Sequence, residues 1–163
     1  MKKALVVIDV QKAFINKNTK ALPEAIRKYI IKNRHAYDFL LFTRFVNFKN
    51  SNFVKLGHYT RCFGPPDTDI HPLLDEFLTE NNVFVKHTFS PFKSEEFVKY
   101  IKKNNVDELH ICGTDTEACV LSTIIDAFDA GYNIKFLEEL SGSHNGPAAH
   151  KAGCLAINTG VFS

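Results

Sequence analysis

Apolar residues follow two rhythms along this chain. Some runs are short and continuous and end on a polar residue, as in Ala4-Leu5-Val6-Val7-Ile8 before Asp9. A strand covered on both faces needs that composition. Between such runs, apolar positions recur at helical spacing. The pattern predicts strands over 4–8, 38–43, 82–86, 108–113 and 133–137, with a last short one at 161–162. It predicts a helix over 23–34 that carries Pro23 in its first turn and faces Ala25, Ile26, Tyr29 and Ile30 inward. A short helix is expected after Pro72. Another opens at Ser94 with acids in its first turn and buries Phe97, Val98 and Ile101. A further helix begins at Thr116, read as its N-cap, and stops at Gly131. A weaker helix spans 147–156. Strands alternating with helices define an α/β domain with a parallel sheet and right-handed crossovers.

The segment 45–70 fits neither rhythm. It holds Phe45, Phe48, Phe53, Tyr59 and Phe63, two arginines, and Gly64-Pro65-Pro66. Loops of this length in compact domains are commonly functional, so it reads as a wall or lid of a pocket, with a packed surface loop as the competing reading.

Composition narrows the function classes. The 163 residues suit one domain, and 45% hydrophobic with 23% charged residues is ordinary for a globular chain. A net charge of +2, with Lys and Arg scattered, gives no stripe for a nucleic-acid backbone. The first apolar run stops at Asp9, too short for a secretory segment, and no run approaches a membrane span. A cytoplasmic protein with no membrane or nucleic-acid partner is expected. Cys62, Cys112, Cys119 and Cys154 form no C-x-x-C pair, which argues against a zinc ribbon or a disulfide scaffold. Seven histidines show no H-x-H or H-x-x-x-H spacing, so no metal and no other cofactor is expected.

The chemistry concentrates where parallel sheets bind ligands, at the carboxyl ends of the strands. Asp9 ends the first strand, Lys86 ends the third, and Cys119 opens the helix after the fourth. A thiol near pKa 8.5 is mostly protonated at neutral pH. An ammonium group and a helix start are expected to lower that value. A carboxylate can accept the thiol proton and later hand it to a leaving amine. Backbone N–H groups at Thr114, Asp115 and Cys119 can face an oxyanion. Each residue also has a plain alternative. Cys119 can be helix packing, Asp9 a loop cap, and Asp9 with Lys86 a structural ion pair. Ser141, Ser143 and His144 hint at a serine nucleophile but lack the G-x-S-x-G elbow. Gln11, Phe14, Phe45 and Phe92 are candidate walls for a small-molecule substrate. Arg44 is a candidate partner for a substrate carboxylate.

At these positions the chain resembles the isochorismatase-like cysteine hydrolase superfamily. The resemblance lies in Val7-Ile8-Asp9-Val10-Gln11, Phe42-Thr43-Arg44, Lys86-His87-Thr88-Phe89-Ser90-Pro91-Phe92 and Cys112-Gly113-Thr114-Asp115-Thr116-Glu117-Ala118-Cys119-Val120. It implies a three-layer α-β-α sandwich with a six-stranded, mainly parallel sheet. It also implies an Asp9–Lys86–Cys119 triad, a cis peptide between Thr114 and Asp115, and a homodimer or homotetramer. Nicotinamidases of that superfamily carry an Asp-x-His metal motif after the second strand, where this chain has Arg44-Phe45-Val46-Asn47. Isochorismatases proper cleave a vinyl ether without a thiol, so Cys119 favours cleavage of a C–N bond in an amide, ureido or carbamoyl substrate. Another isochorismatase-type hydrolysis, a non-catalytic binding domain and a redox-sensing thiol protein are the rival readings.

Overall fold

The computed structural model describes residues 1–162. Five parallel strands form one sheet: β1 (Lys2–Ile8), β2 (Phe39–Phe45), β3 (Val83–Lys86), β4 (Val106–Thr114) and β5 (Asn133–Gly142). Their order is β3-β2-β1-β4-β5. β1 lies at the centre, which explains its unbroken apolar run. Ala4, Val6 and Ile8 face one layer, and Leu5 and Val7 face the other. All five are at most 1% exposed.

One layer holds α1 (Leu22–Asn33) and a 3₁₀ segment, Pro72–Phe77, which bury Ile26, Ile30 and Leu74. A short helix, α2 (Asn52–Lys55), lies in the 45–70 segment. The opposite layer holds α3 (Glu95–Lys103), α4 (Leu121–Asp129) and α5 (Pro147–Gly160), which bury Phe97, Ile101, Ile124 and Ile157. The three-layer sandwich is therefore present, with five strands among the described residues instead of six. Residues 161–162 are not a strand. The Val161 and Phe162 N–H groups are taken by the Ile157 carbonyl at the end of α5, at 3.0 and 3.4 Å.

Two local departures shape the site. β5 runs past residue 137 to Gly142, with an irregularity in which Phe136 to Ser141 spans the same stretch as Ile111 to Gly113. The extension carries residues 143–144 to the carboxyl edge. The helix expected from Thr116 starts instead as a π-helical turn, Thr116–Val120, with α4 following. The Thr116 hydroxyl does not cap it, because it bonds the His150 ring at 2.8 Å. Close packing holds this turn. A Cβ on Gly153 of α5 would lie 2.6 Å from the Glu117 nitrogen, and one on Gly113 (φ +122°) would lie 2.1 Å from the Ile8 oxygen. Only glycine fits either place.

Candidate active site

Asp9, at the end of the central strand, is fully buried with φ +45°. Thr43 on β2 donates its hydroxyl to Asp9 Oδ1 at 2.6 Å and accepts from the Asp9 N–H at 3.1 Å. That fixes the carboxylate and leaves Oδ2 toward Lys86, whose Nζ lies 2.6 Å away. Apart from this ion contact, Oδ2 has no well-angled hydrogen-bond donor. Lys86, 1% exposed, also donates to the Thr88 carbonyl at 2.8 Å and reaches Cys119 Sγ at 3.6 Å. The three groups that the sequence brings to one edge thus meet around one ammonium. The Phe45 ring centre lies 5.3 Å from that ammonium.

Electrostatics here depart from the expectation of a depressed thiol. Burial pushes the Cys119 thiol up; Lys86 pulls it down, and the negative charge of Asp9 pushes it up again. The net direction is upward, so the resting sulfur is a thiol. Burial alone would lower Lys86, but Asp9 and Cys119 more than offset that, and its pKa is raised. The resting charges are those of an Asp9–Lys86 ion pair beside a neutral S–H.

The turn before Cys119 has a cis peptide between Thr114 and Asp115. The Thr114 hydroxyl donates to the Asp9 carbonyl at 2.7 Å, which ties the turn to the end of β1. Asp115 does not face solvent alone. Its Oδ1 accepts from the His144 N–H at 2.9 Å, and its Oδ2 lies 2.6 Å from His144 Nδ1. Glu117 Oε1 accepts from Ser143 Oγ at 2.7 Å, which spends that hydroxyl on the turn and gives it no nucleophile geometry.

Of the expected pocket walls, Phe45 borders Lys86 and Phe14 lies against His144, ring centres 5.4 Å apart. The other two walls and Arg44, the expected carboxylate partner, lie elsewhere. Gln11 is fully buried and its amide brackets the Phe45 backbone, donating to O at 2.9 Å and accepting from N at 2.6 Å. It replaces a missing strand pairing and does not line a cavity. Arg44 alternates with Thr43 and Phe45 along β2, so it falls on the opposite face, beside Lys12, Asp69 and Asp75. Phe92 packs on Phe97 and Tyr132 at 5.5 and 5.7 Å, under α3 and α4. Thr43 and Thr88 were not expected as site residues, and His144 only as a companion of a serine nucleophile. Thr43 has a legible signal, a polar residue at the carboxyl end of an apolar run.

The 45–70 segment is a packed wall. Phe45 meets Phe53 at 4.7 Å, and the Asn47 side chain donates to the Tyr59 and Arg61 carbonyls, each at 3.1 Å, and accepts from Ser51 Oγ at 2.6 Å. Phe45 and Asn47 occupy the region of the Asp-x-His motif, one apolar and the other with its amide consumed. No group of three His, Cys, Asp or Glu side chains able to hold a metal occurs among the described residues. The residues present do not fit a metal. An aromatic basin of about 660 Å³ lies between Phe48, Phe53, Leu56 and the 87–89 stretch.

A parallel three-layer α/β domain with a buried Asp9–Lys86 pair beside a half-buried Cys119 at its carboxyl edge defines the class of protein this is. Residues 3–162 match the isochorismatase domain, and the chain belongs to the isochorismatase family of hydrolases. An isochorismatase family protein from Bacillus subtilis (strain 168) is 30% identical over 76 residues, a stretch that spans 45% of this chain and 42% of the relative. The fold is also that of an isochorismatase-like hydrolase from Alkaliphilus metalliredigens, with TM-score 0.84, 21% identity, and 97% and 91% of the two chains covered. The nicotinamidase PncA from Bacillus subtilis gives 0.83 at 21% identity over 100% and 98%. N-carbamoylsarcosine amidase from Thermoplasma acidophilum gives 0.79 at 21% over 99% and 93%. No helix among the described residues is long and apolar enough to cross a membrane.

Proposed function

We propose that this protein is a cysteine hydrolase that cleaves a C–N bond of a small amide, ureido or carbamoyl compound through a thioester on Cys119. The observation that carries the reading is the position of Lys86 Nζ, 2.6 Å from Asp9 Oδ2 and 3.6 Å from Cys119 Sγ, with Lys86 and Asp9 buried. The relatives named above include amidases of small molecules, in agreement with that class.

The chemistry follows from the resting charges. As Sγ attacks the substrate carbonyl, its proton passes to Asp9 Oδ2, the oxygen left free by Thr43. Lys86, already cationic, stabilises the sulfur as it takes up negative charge. Backbone N–H groups of the 114–119 turn face the carbonyl oxygen as it becomes an oxyanion. When the tetrahedral adduct collapses, the C–N bond breaks, the amine leaves with the proton held by Asp9, and a thioester remains. Asp9, again a carboxylate, takes a proton from water, whose hydroxyl adds to the thioester. Collapse releases the acid and returns the proton to sulfur. Each proton removed is returned, so the cycle closes with Asp9 as the single shuttle.

A panel of small primary amides and ureides, read as ammonia release, tests this reading. Any substrate found should be turned over roughly 10³-fold or more slowly by Cys119→Ala. Intact-protein mass spectrometry after rapid acid quench should show the acyl group on wild-type protein. Turnover by Cys119→Ala at the wild-type rate would exclude the thioester. The redox-sensor alternative is less well supported by the geometry, because burial raises the thiol and an oxidant-sensing cysteine needs ready thiolate.

A further inference from the structure

The carboxyl edge extends beyond the Cys119 turn onto β5, and there one residue is restrained more than its exposure explains. His144 keeps about a quarter of its side chain in solvent (26%). Its backbone N–H and its Nδ1 are clamped by the two oxygens of Asp115, at 2.9 and 2.6 Å. Its carbonyl accepts from Asn16 Nδ2 at 2.8 Å and Asn18 Nδ2 at 3.0 Å, and its ring leans on Phe14. Five contacts from two parts of the chain, residues 14–18 and Asp115, thus hold this one residue. With Nδ1 donating to a carboxylate, the ring orientation is set and Nε2 is turned away from Asp115, with no partner among the described residues. A carboxylate behind an imidazole is the arrangement that fixes tautomer and direction for work at the other nitrogen.

The placement gives that nitrogen something to do. Asp115 immediately precedes the Thr116–Val120 turn that carries Cys119, and its charge acts on the Cys119 thiol. Phe14, which holds the ring, follows Asp9 on the same loop. Lys86 therefore approaches the sulfur from the β3 side of the edge, and His144 stands on the β5 side.

We propose that His144, aimed by Asp115, is a substrate-binding residue whose Nε2–H donates to an acceptor oxygen on the molecule seated at Cys119. The substrates this favours are small amides or ureides with a carboxylate or a second carbonyl near the scissile bond. The inference rests on the cysteine hydrolase reading. It also replaces the role expected of Arg44, which lies on the other face of the sheet. The charged groups around the ring are Asp115, Glu117 and Arg61. Glu117 is engaged by Ser143 and Asn145, and Arg61 is forked onto Asp67 at 2.6 and 3.1 Å. Asp115 raises the imidazole pKa against the opposing effect of burial. The ring therefore stays an imidazolium, a donor at both nitrogens, to higher pH than a free histidine.

Alkylation of Cys119 in the full chain tests this without requiring a substrate. Iodoacetate carries a carboxylate and iodoacetamide a neutral amide oxygen. Their rate constants, measured by mass spectrometry between pH 6 and 9, are compared with those of a free thiol. For wild-type protein the iodoacetate/iodoacetamide ratio should exceed the free-thiol ratio by about tenfold, the effect of one charge-assisted hydrogen bond, and should decline as pH rises through the His144 pKa. His144→Asn keeps a donor for Asp115 but has nothing at Nε2, and it should bring the ratio to the free-thiol value. His144→Gln places an amide near Nε2 and should retain part of the preference. If iodoacetamide alone slows in His144→Asn, the acceptor is a neutral carbonyl. Two outcomes overturn the inference: both rates unchanged in a folded His144→Asn, or loss with Gln and retention with Asn, which would make His144 only a brace for Asp115. Such results leave the hydrolase reading standing, whereas Cys119 resisting both reagents up to pH 9 would sink both.

Discussion

At the scale of single residues, the site depends on which atom holds the proton at rest. Asp9 supplies a counter-ion for Lys86, and in doing so denies that role to the sulfur. Removing the carboxylate charge with Asp9→Asn should leave the ammonium without a partner and let Cys119 ionise to replace it. Cys119 alkylation near pH 7 should then accelerate, although turnover is lost with the proton shuttle. Lys86→Met should do the reverse, slowing alkylation because the influence that lowers the thiol is gone. It should also destabilise the fold by about 3–5 kcal/mol, since it strands a buried carboxylate. Iodoacetamide rates for both variants check the pair, and equal rates would contradict the resting-state assignment. Thr43 acts through Asp9. Thr43→Val should reduce kcat/KM by about tenfold, one hydrogen bond's worth, and Thr43→Ser should restore most of it. Asp9, Lys86 and Cys119 were legible because each stands where an apolar run or a helix boundary stops. Gln11 was misread for a physical reason. A polar residue after a strand looks like a pocket wall, but here its amide makes the hydrogen bonds that a missing neighbour strand would make.

At the scale of elements, the strands, the long helices and the Gly131 stop follow the apolar rhythm, and the site's detail does not. Periodicity cannot show that the Cys119 helix opens as a π turn, because the turn is held by contacts with α5 and not by its own sequence. Gly153 is the clearest of these contacts. Gly153→Ala inserts a methyl against the Glu117 backbone and should cost about 2 kcal/mol, lowering Tm by about 4–8 °C. Because α5 would be pushed off the turn that carries Cys119, activity at low temperature should fall as well. Calorimetry beside ammonia release checks both, and a stable but inactive variant would show the turn to be sensitive to small shifts. The 45–70 segment was illegible for a different reason: its order comes from side-chain contacts with its own backbone, such as Asn47 with Tyr59 and Arg61. With Phe45 and Asn47 filling the place of a metal motif, dialysis against EDTA should leave both turnover and Tm unchanged. Added Zn²⁺ or Mn²⁺ should give no upward shift in Tm. Loss of activity on chelation would contradict that packing argument.

For the whole molecule, an α/β sandwich with its chemistry at one edge was readable from alternation alone. The strand order and the reach of β5 to residue 142 were not. The net charge of +2 says little about pH response, because the histidines that respond lie partly or wholly inside. Burial lowers His71 and His110, the latter against the opposing effect of its hydrogen bond to the Glu108 carboxylate, whereas Asp115 raises His144. An unfolded histidine takes up a proton near pH 6.5. Folded His71 and His110 resist that proton, so each withdraws stability as pH falls below about 6.5. His144 contributes in the opposite sense: its stabilisation is complete below about pH 6.5 and fades as pH rises through its folded pKa. With two against one, Tm should drop between about pH 7.5 and pH 5.5. In His144→Gln, the one histidine that opposes the loss is gone, so the drop should steepen. The two proteins should differ least at the alkaline end, above the folded His144 pKa, where His144 is neutral in both folded and unfolded chains. A variant that instead gained on wild type as the pH fell would mean that His144 is not held as an imidazolium by Asp115, and the assignment of Nε2 as a charged donor would fail with it.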